Sequence, residues 1–180
     1  METKCQEQGR KLTLPEGVVV PVRTIRPDDA PALQRLHERL SEHSIRLRFF
    51  GSMKKLSDKM AKDFAHVDGV NRYALVALDP EQQDEVIAVV RFAREGDTDK
   101  AEYAAVVEDD WQGHGVGLGL TRQLIYAARK RGIRHLYGLV LPENRAMLKL
   151  LRSLDLPERE SRSGGSKYVE VELEAAPIGE

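Results

Sequence analysis

Apolar residues in this chain recur in short blocks whose spacing switches between the period of a strand and that of a helix. Residues 18–25 are β-branched and read as a first strand, with Pro21 marking an edge or a bulge. Arg26, Pro27, Asp28, Asp29, Ala30 and Pro31 then punctuate: Asp28 or Asp29 can cap a helix that carries Pro31 in its first turn. Leu33, Leu36, His37 and Leu40 share one face of that helix. A second short helix turns Ile45, Phe49 and Phe50 inward. Ser57 or Asp58 caps a third, through Met60, Phe64 and Val67. Residues 73–78 and 86–92 are the second and third strands, and the polar connection 94–100 predicts a hairpin to a fourth, 101–107. Residues 118–131 return to helical spacing before a fifth strand at 135–141. A strand, crossover helix, strand unit sets strands four and five parallel. Pro142, Glu143 and Asn144 open a last helix with Met147, Leu148, Leu150 and Leu151 on its apolar side, stopped by Leu156 and Pro157. Residues 158–167 are polar, and 168–173 alternate as a half-buried terminal strand. Residues 1–16 read as a frayed leader and 17–176 as one domain, without repeats.

Composition narrows the function classes. A chain of 180 residues buries a core without staples. The formal charge of −1 argues against nucleic acid as partner. Cys5 is the single cysteine, so no internal disulfide forms, and it reads as an incidental thiol. Residues 1–11 lack the apolar core of a secretory signal, and no apolar run approaches membrane-spanning length. The expectation is a cytoplasmic protein with no membrane association and no metal.

The chemistry concentrates at Gln112, Gly113, His114, Gly115, Val116 and Gly117, between the fourth strand and the helix after it. The first amides of a helix have no partner within it, and the macrodipole adds positive field there, so a glycine-rich turn at this place suits an anion. Glycines let a phosphate approach the backbone. A P-loop is excluded because no Gly-Lys-Ser/Thr triplet ends the turn. A dinucleotide fingerprint is excluded because Leu118 or Leu120 stands where its last glycine must be. What remains is Q-x-x-G-x-G. With its preceding strand it resembles the acyl-CoA pyrophosphate loop of the GNAT superfamily of N-acetyltransferases.

That resemblance extends over the order of elements from Val18 to Leu173, and includes Asn144, Arg145, Ala146 and Met147 at the opening of the last helix. It is closest to the GNAT domains of bacterial protein-lysine acetyltransferases, the group that includes the acetyltransferase of acetyl-CoA synthetase. The shared stretches are Ile25 to Ala30, the L-S-x-x-S-x-x-x-R-F-F string from Leu40 to Phe50, and Ala101-Glu102. The resemblance implies an α/β GNAT fold: a mixed central sheet of about six to seven strands, splayed between strands four and five and flanked by helices. It implies acetyl-CoA as co-substrate and a protein bearing a reactive lysine as acceptor, with acyl-CoA or acetyl-CoA synthetases foremost. Homodimerisation stays open. A small-amine acetyltransferase and a non-catalytic acyl-CoA sensor are the competing readings. The domains of this group are often joined to a regulatory or synthetase-like domain, for which 180 residues leave no room.

Three tasks fall to named residues under this resemblance. The backbone from Gln112 to Gly117, His114 included, cradles the pyrophosphate. Unpaired groups at Ala105, Val106 and Val107 receive the pantetheine arm like an added strand, with Asn144 either bonding that arm or capping its helix. An amide near Val106 stabilises the oxyanion, a contribution of about 3 kcal/mol in acyl-transfer sites. The third task is deprotonation, because a free lysine of pKa about 10.4 is almost wholly protonated at neutral pH. Strand alternation puts Glu102, Ala104 and Val106 on one face, and the related lysine acetyltransferases use a glutamate matching Glu102 as base. Glu108, Asp109 and Asp110 read as helix-start carboxylates, and Trp111 and His43 as packing or surface residues. One position departs from the family: many members carry a tyrosine acid seven residues after the asparagine, where this chain has Leu151. Either no protein acid is needed, because a CoA thiolate is a tolerable leaving group near neutral pH, or another residue serves, with Tyr137 and Tyr168 as the candidates.

Overall fold

The computed structural model describes residues 10–173. Cys5, residues 1–9 of the expected leader and residues 174–176 of the expected domain lie outside them. Eight strands form one sheet: β1 (Lys11–Thr13), β2 (Val19–Thr24), β3 (Arg72–Leu78), β4 (Val86–Arg94), β5 (Lys100–Val107), β6 (His135–Val140), β7 (Glu158–Ser163) and β8 (Ser166–Glu172). Their spatial order is β1-β2-β3-β4-β5-β6-β8-β7. Five helices flank it: α1 (Ala30–Arg39), α2 (Glu42–Phe49), α3 (Asp58–Ala65), α4 (Val116–Lys130) and α5 (Arg145–Arg152). The predicted strands four and five are β5 and β6. They are parallel, as the crossover rule requires.

The expected six to seven strands become eight because both edge strands were read as irregular chain. Residues 11–13, assigned to the leader, pair with β2, and Leu14 closes the turn by donating its amide to Val18 O at 2.8 Å. The cause is apolar: Leu14 is buried, and a Cβ at Gly119 on α4 would overlap Leu12. Pro21 therefore lies on a covered strand, opposite Lys11, and β2 meets β3 only from Val22 onward. At the other edge, β7 is polar along its length and pairs with β8 across the turn at Gly164, whose φ is +60°. A polar edge strand shows no alternation to read and resists pairing with a second chain.

Two apolar layers enclose the sheet. Val116, Leu120 and Leu124 of α4, with Leu148 and Leu151 of α5, pack on one face of β3 to β8. Leu33 and Leu36 of α1, Ile45 of α2 and Ala61 of α3 pack on the other face against Val76, Val89 and Val106. Local chemistry sets the helix starts: Ser41 Oγ accepts the Ser44 amide and Ser57 Oγ accepts the Met60 amide. Asp29 stands at the α1 N-cap position, but its carboxylate does not cap α1. It accepts two hydrogen bonds from Arg23 at 2.7 and 2.8 Å and one from the Arg26 amide at 2.7 Å. Phe50 corrects another expectation. It ends α2 in the left-handed region at φ 62°, and it is 47% exposed rather than turned inward.

Candidate active site

The site begins where β5 and β6 part. The two strands pair only at Lys100–His135, Ala101–Leu136 and Glu102–Tyr137, although both run on beyond. The wedge opens a cleft of about 560 Å³, walled by β5, β6, α2, α5 and the start of α4.

The β4–β5 ladder decides which main-chain groups face this cleft. The Glu108 amide donates to Ile87 O and the Glu95 amide to Lys100 O, both at 2.8 Å, at the two ends of the ladder. Antiparallel pairing alternates, so the even-numbered residues of β5 spend their N–H and C=O groups on β4. The odd-numbered residues Tyr103, Ala105 and Val107 present theirs to the cleft. This corrects the expected oxyanion donor: the Val106 amide belongs to β4, and the open amides are those of Ala105 and Val107. Val106 contributes its side chain to the wall. The Val107 carbonyl is also spoken for, accepting from Gln112 Nε2 at 2.9 Å. Across the gap, a Cβ at Gly138 would stand 3.2 Å from Tyr103 O, so glycine lets β6 lie close there.

The turn at 112–117 takes its shape from Gly113 and Gly115, with φ of +79° and +91°. The first helical bond of α4 runs from the Gly119 amide to Gly115 O, and no side chain caps the helix. The amides of Val116, Gly117 and Leu118 thus precede the first helical bond, at the positive end of a 15-residue helix. Gly117 has a different reason. A Cβ there would meet Leu150 Cδ1 at 3.1 Å and Val107 Cγ2 at 3.4 Å, so glycine seats α4 against α5 and β5. The His114 ring faces away from the cleft and lies 3.1 Å from a Glu16 carboxylate oxygen. Asn144 Oδ1 accepts the Met147 amide at 3.2 Å, so its side chain caps α5 while the residue borders the cleft.

A second network anchors this turn, and the sequence reading missed it. Asp109 is not a merely solvated helix-start carboxylate. It accepts the Ser41 amide at 3.0 Å, the Ser41 hydroxyl at 2.7 Å and the Ser44 hydroxyl at 3.1 Å. Burial alone would raise its pKa, but these hydrogen bonds outweigh it and hold the carboxyl below its ordinary value. Ser44 Oγ also accepts from Gln112 Nε2 at 3.1 Å. Both serines belong to the L-S-x-x-S string, so the available signal was their spacing of three at a helix start.

Glu102 stands at the last paired position, exposed and bordering the cleft, opposite Tyr137 on β6. Burial, then the charges of Glu95 and Glu102, push the Tyr137 phenol up, and its ring stacks on Tyr168 at 5.6 Å. Leu151 is 6% exposed and packs in the core below, bringing no proton donor. Trp111 borders the cleft while resting on the core, and His43 is exposed. Among the described residues no cluster of His, Cys, Asp and Glu could hold a metal. None of the described helices is long and apolar enough to cross a membrane.

Residues 20–156 match the model of the acetyltransferase (GNAT) domain. The chain is 31% identical over 143 residues to acetyltransferase PA5475 of Pseudomonas aeruginosa, covering 79% of this chain and 77% of that protein. It is 36% identical over 112 residues to acetyltransferase Pat of Mycolicibacterium smegmatis, covering 59% of this chain but only 32% of that longer protein. Among solved structures, the GNAT domain of S. lividans PAT superposes with a TM-score of 0.84 at 34% identity, covering 91% of this chain and 96% of that one. The strand splay and the uncapped start of α4 agree with these similarities. The chain belongs to the GNAT acetyltransferases.

Proposed function

We propose that this enzyme moves an acetyl group from acetyl-CoA to the side-chain amine of lysines on a protein, with acyl-CoA synthetases as the acceptors. The observation that carries the reading is the juxtaposition, in one cleft, of uncapped α4 amides, open β5 amides and Glu102. In the proposed complex the pyrophosphate rests on the amides of Gly113 to Leu118, and the pantetheine arm lies along Ala105 and Val107 as an added strand. The Ala105 or Val107 amide receives the charge that develops on the thioester oxygen. The lysine amine attacks directly in a ternary complex while Glu102, itself or through one water, takes its proton. Such a base is worth roughly 100- to 10,000-fold.

With Leu151 in place of a phenol, the thiolate leaves without a protein acid. That is tolerable chemistry because a thiol of pKa about 8.5 is a fair leaving group near neutral pH. The similarity to protein acetyltransferases supports a protein acceptor over a free amine. The catalytic domain in this proposal is residues 17–176 extended at its start to take in β1 (Lys11–Thr13), and the compartment is the cytoplasm. The test is mass spectrometry of purified acetyl-CoA synthetase after incubation with the enzyme and acetyl-CoA. A lysine adduct at least about tenfold weaker in a Glu102→Gln control is expected. Labelling of small amines alone would overturn the acceptor, and heat-silent titration with CoA and acetyl-CoA would overturn the whole reading.

A further inference from the structure

We propose that a small cavity beside the cleft accepts the tail of a short acyl chain ending in a carboxylate, of the size of a succinyl group. The inference rests on the acyl-CoA reading above and extends it to the donor. The cavity, of about 40 Å³, lies between the sheet and α1–α3 and shares Arg48, Ala104, Ala105 and Val106 with the acyl-transfer cleft. Its walls are apolar, from Leu36, Phe49, Phe64 and Val89, except for two guanidinium groups and the ring of His37. His37 Nε2 is engaged with Met53 O at 2.7 Å.

The guanidiniums are the anomaly. Arg48 lies over the Phe49 ring at 4.8 Å and near Phe64 at 5.9 Å, and Arg91 lies over Phe64 at 4.8 Å. Arg91 donates one hydrogen bond, to Phe64 O at 3.1 Å. Among the described residues neither arginine has a carboxylate within ion-pair distance. Burial, then repulsion from Arg48 and Arg72, pushes Arg91 down to about 10. Arg48 feels the charge of Glu102, but no ion pair joins the two, and Arg91 feels only the repulsion of other arginines. Both arginines are half-buried, and charges cut off from part of their water gain from partners, which aromatic faces supply only in part. A carboxylate from a ligand completes the set.

Size and direction select the acyl tail. The cavity holds about three water-sized atoms, close to what a succinyl chain adds beyond acetyl. It lies beneath α1–α3, behind Ala104 and Val106. The acceptor, by contrast, approaches over Tyr137, Tyr168 and the half-exposed Leu139, residues that are not among those packed with α1–α3 in the described part of the chain. The tail takes no part in the reaction. The amine nitrogen forms a bond to the thioester carbonyl carbon, the carbon–sulfur bond breaks, and its electron pair leaves with CoA. Glu102 takes the amine proton, and the product amide carries a free carboxylate.

The test titrates the whole protein calorimetrically with acetyl-, butyryl- and succinyl-CoA. Butyryl matches succinyl in chain length without the terminal charge. Succinyl-CoA is expected to bind about tenfold more tightly than butyryl-CoA, the worth of a charge-assisted pair. Arg91→Gln, a residue outside the large cleft, should remove that preference and leave acetyl-CoA binding in place. Should Arg91→Gln not fold, Arg91→Met, which keeps the length of the side chain without its charge, is read in its stead. Equal binding of succinyl- and butyryl-CoA by the wild type, or a preference that survives the arginine substitution, overturns the inference. Loss of acetyl-CoA binding by the wild type would instead remove the acetyltransferase reading.

Discussion

Replacing Asp109 with asparagine tests whether the α2–loop network holds the cofactor turn. The carboxylate accepts three hydrogen bonds, from the Ser41 amide and the Ser41 and Ser44 hydroxyls, and Ser44 passes the constraint to Gln112. Bonds to a charged acceptor are worth roughly 1.5–3 kcal/mol each when shielded. The two contacts at Ser41 are solvent-exposed, so the sum is discounted to about 2 kcal/mol. For a chain of this size that lowers the unfolding midpoint by about 4–8 °C. The carboxyl is held below its ordinary pKa, so its stabilisation is present above about pH 4 and is lost as pH falls through the lower folded value. Melting followed from pH 7 down to pH 2 should therefore show wild type and Asp109→Asn converging at the acid end. Calorimetry should show acetyl-CoA binding weakened by about fivefold, since Gln112 loses a braced neighbour. A variant that melts and binds like wild type at neutral pH would refute the network as an anchor.

Three further outcomes follow from the same structure. Glu102→Gln should leave the acetyl-CoA dissociation constant within about twofold and cut transfer by at least about tenfold, read by calorimetry and radiolabel; unimpaired transfer would remove Glu102 as base. Asp29→Ala strands Arg23 beside a half-buried site and should cost about 3 kcal/mol in urea unfolding at neutral pH. Burial alone would raise the Asp29 pKa, but Arg23 and Arg26 lower it, so this loss too should fade below about pH 4 as the wild-type carboxyl protonates. Leu151→Tyr restores the family's phenol at a position 6% exposed and should destabilise by about 1–3 kcal/mol through overpacking. A faster enzyme from that change would show that thiolate departure had lacked an acid.

What could be read in the sequence follows burial. β3 is buried on both faces for all but its first residue, and β4 nearly so, and their apolar runs were unmistakable. The edge strands answer to other rules. Glu158–Ser163 joins the sheet through main-chain pairing with β8, which any polar sequence can make, so side-chain pattern carries no trace of it. Lys11–Thr13 is too short for a period, and its cause lies far away in sequence, at Gly119, where the missing Cβ makes room for Leu12. Phe50 misled because hydrophobicity says that a side chain tends inward, whereas the left-handed turn ending α2 aims it at the cleft.

The site divides along the same line. Main-chain chemistry at a helix start depends on local sequence, so the glycine turn at Gly113 and Gly115 ahead of α4 was legible, while the absence of a side-chain cap on α4 was not. Which amide of β5 faces the cleft depends on the phase of its ladder with β4, and that phase is set by a hairpin whose register no residue type announces. A slip of one position moves every N–H to the other edge while leaving the apolar pattern plausible, which is why the sequence points to the Val106 amide although the open amides are those of Ala105 and Val107. Side chains obey the opposite parity: with its amide turned to β4, Glu102 still lines the cleft through its side chain because the wedge opens just beyond it. In the proposed mechanism, base and amide donors therefore come from neighbouring positions of one strand, the side chains of even residues and the main chain of odd ones.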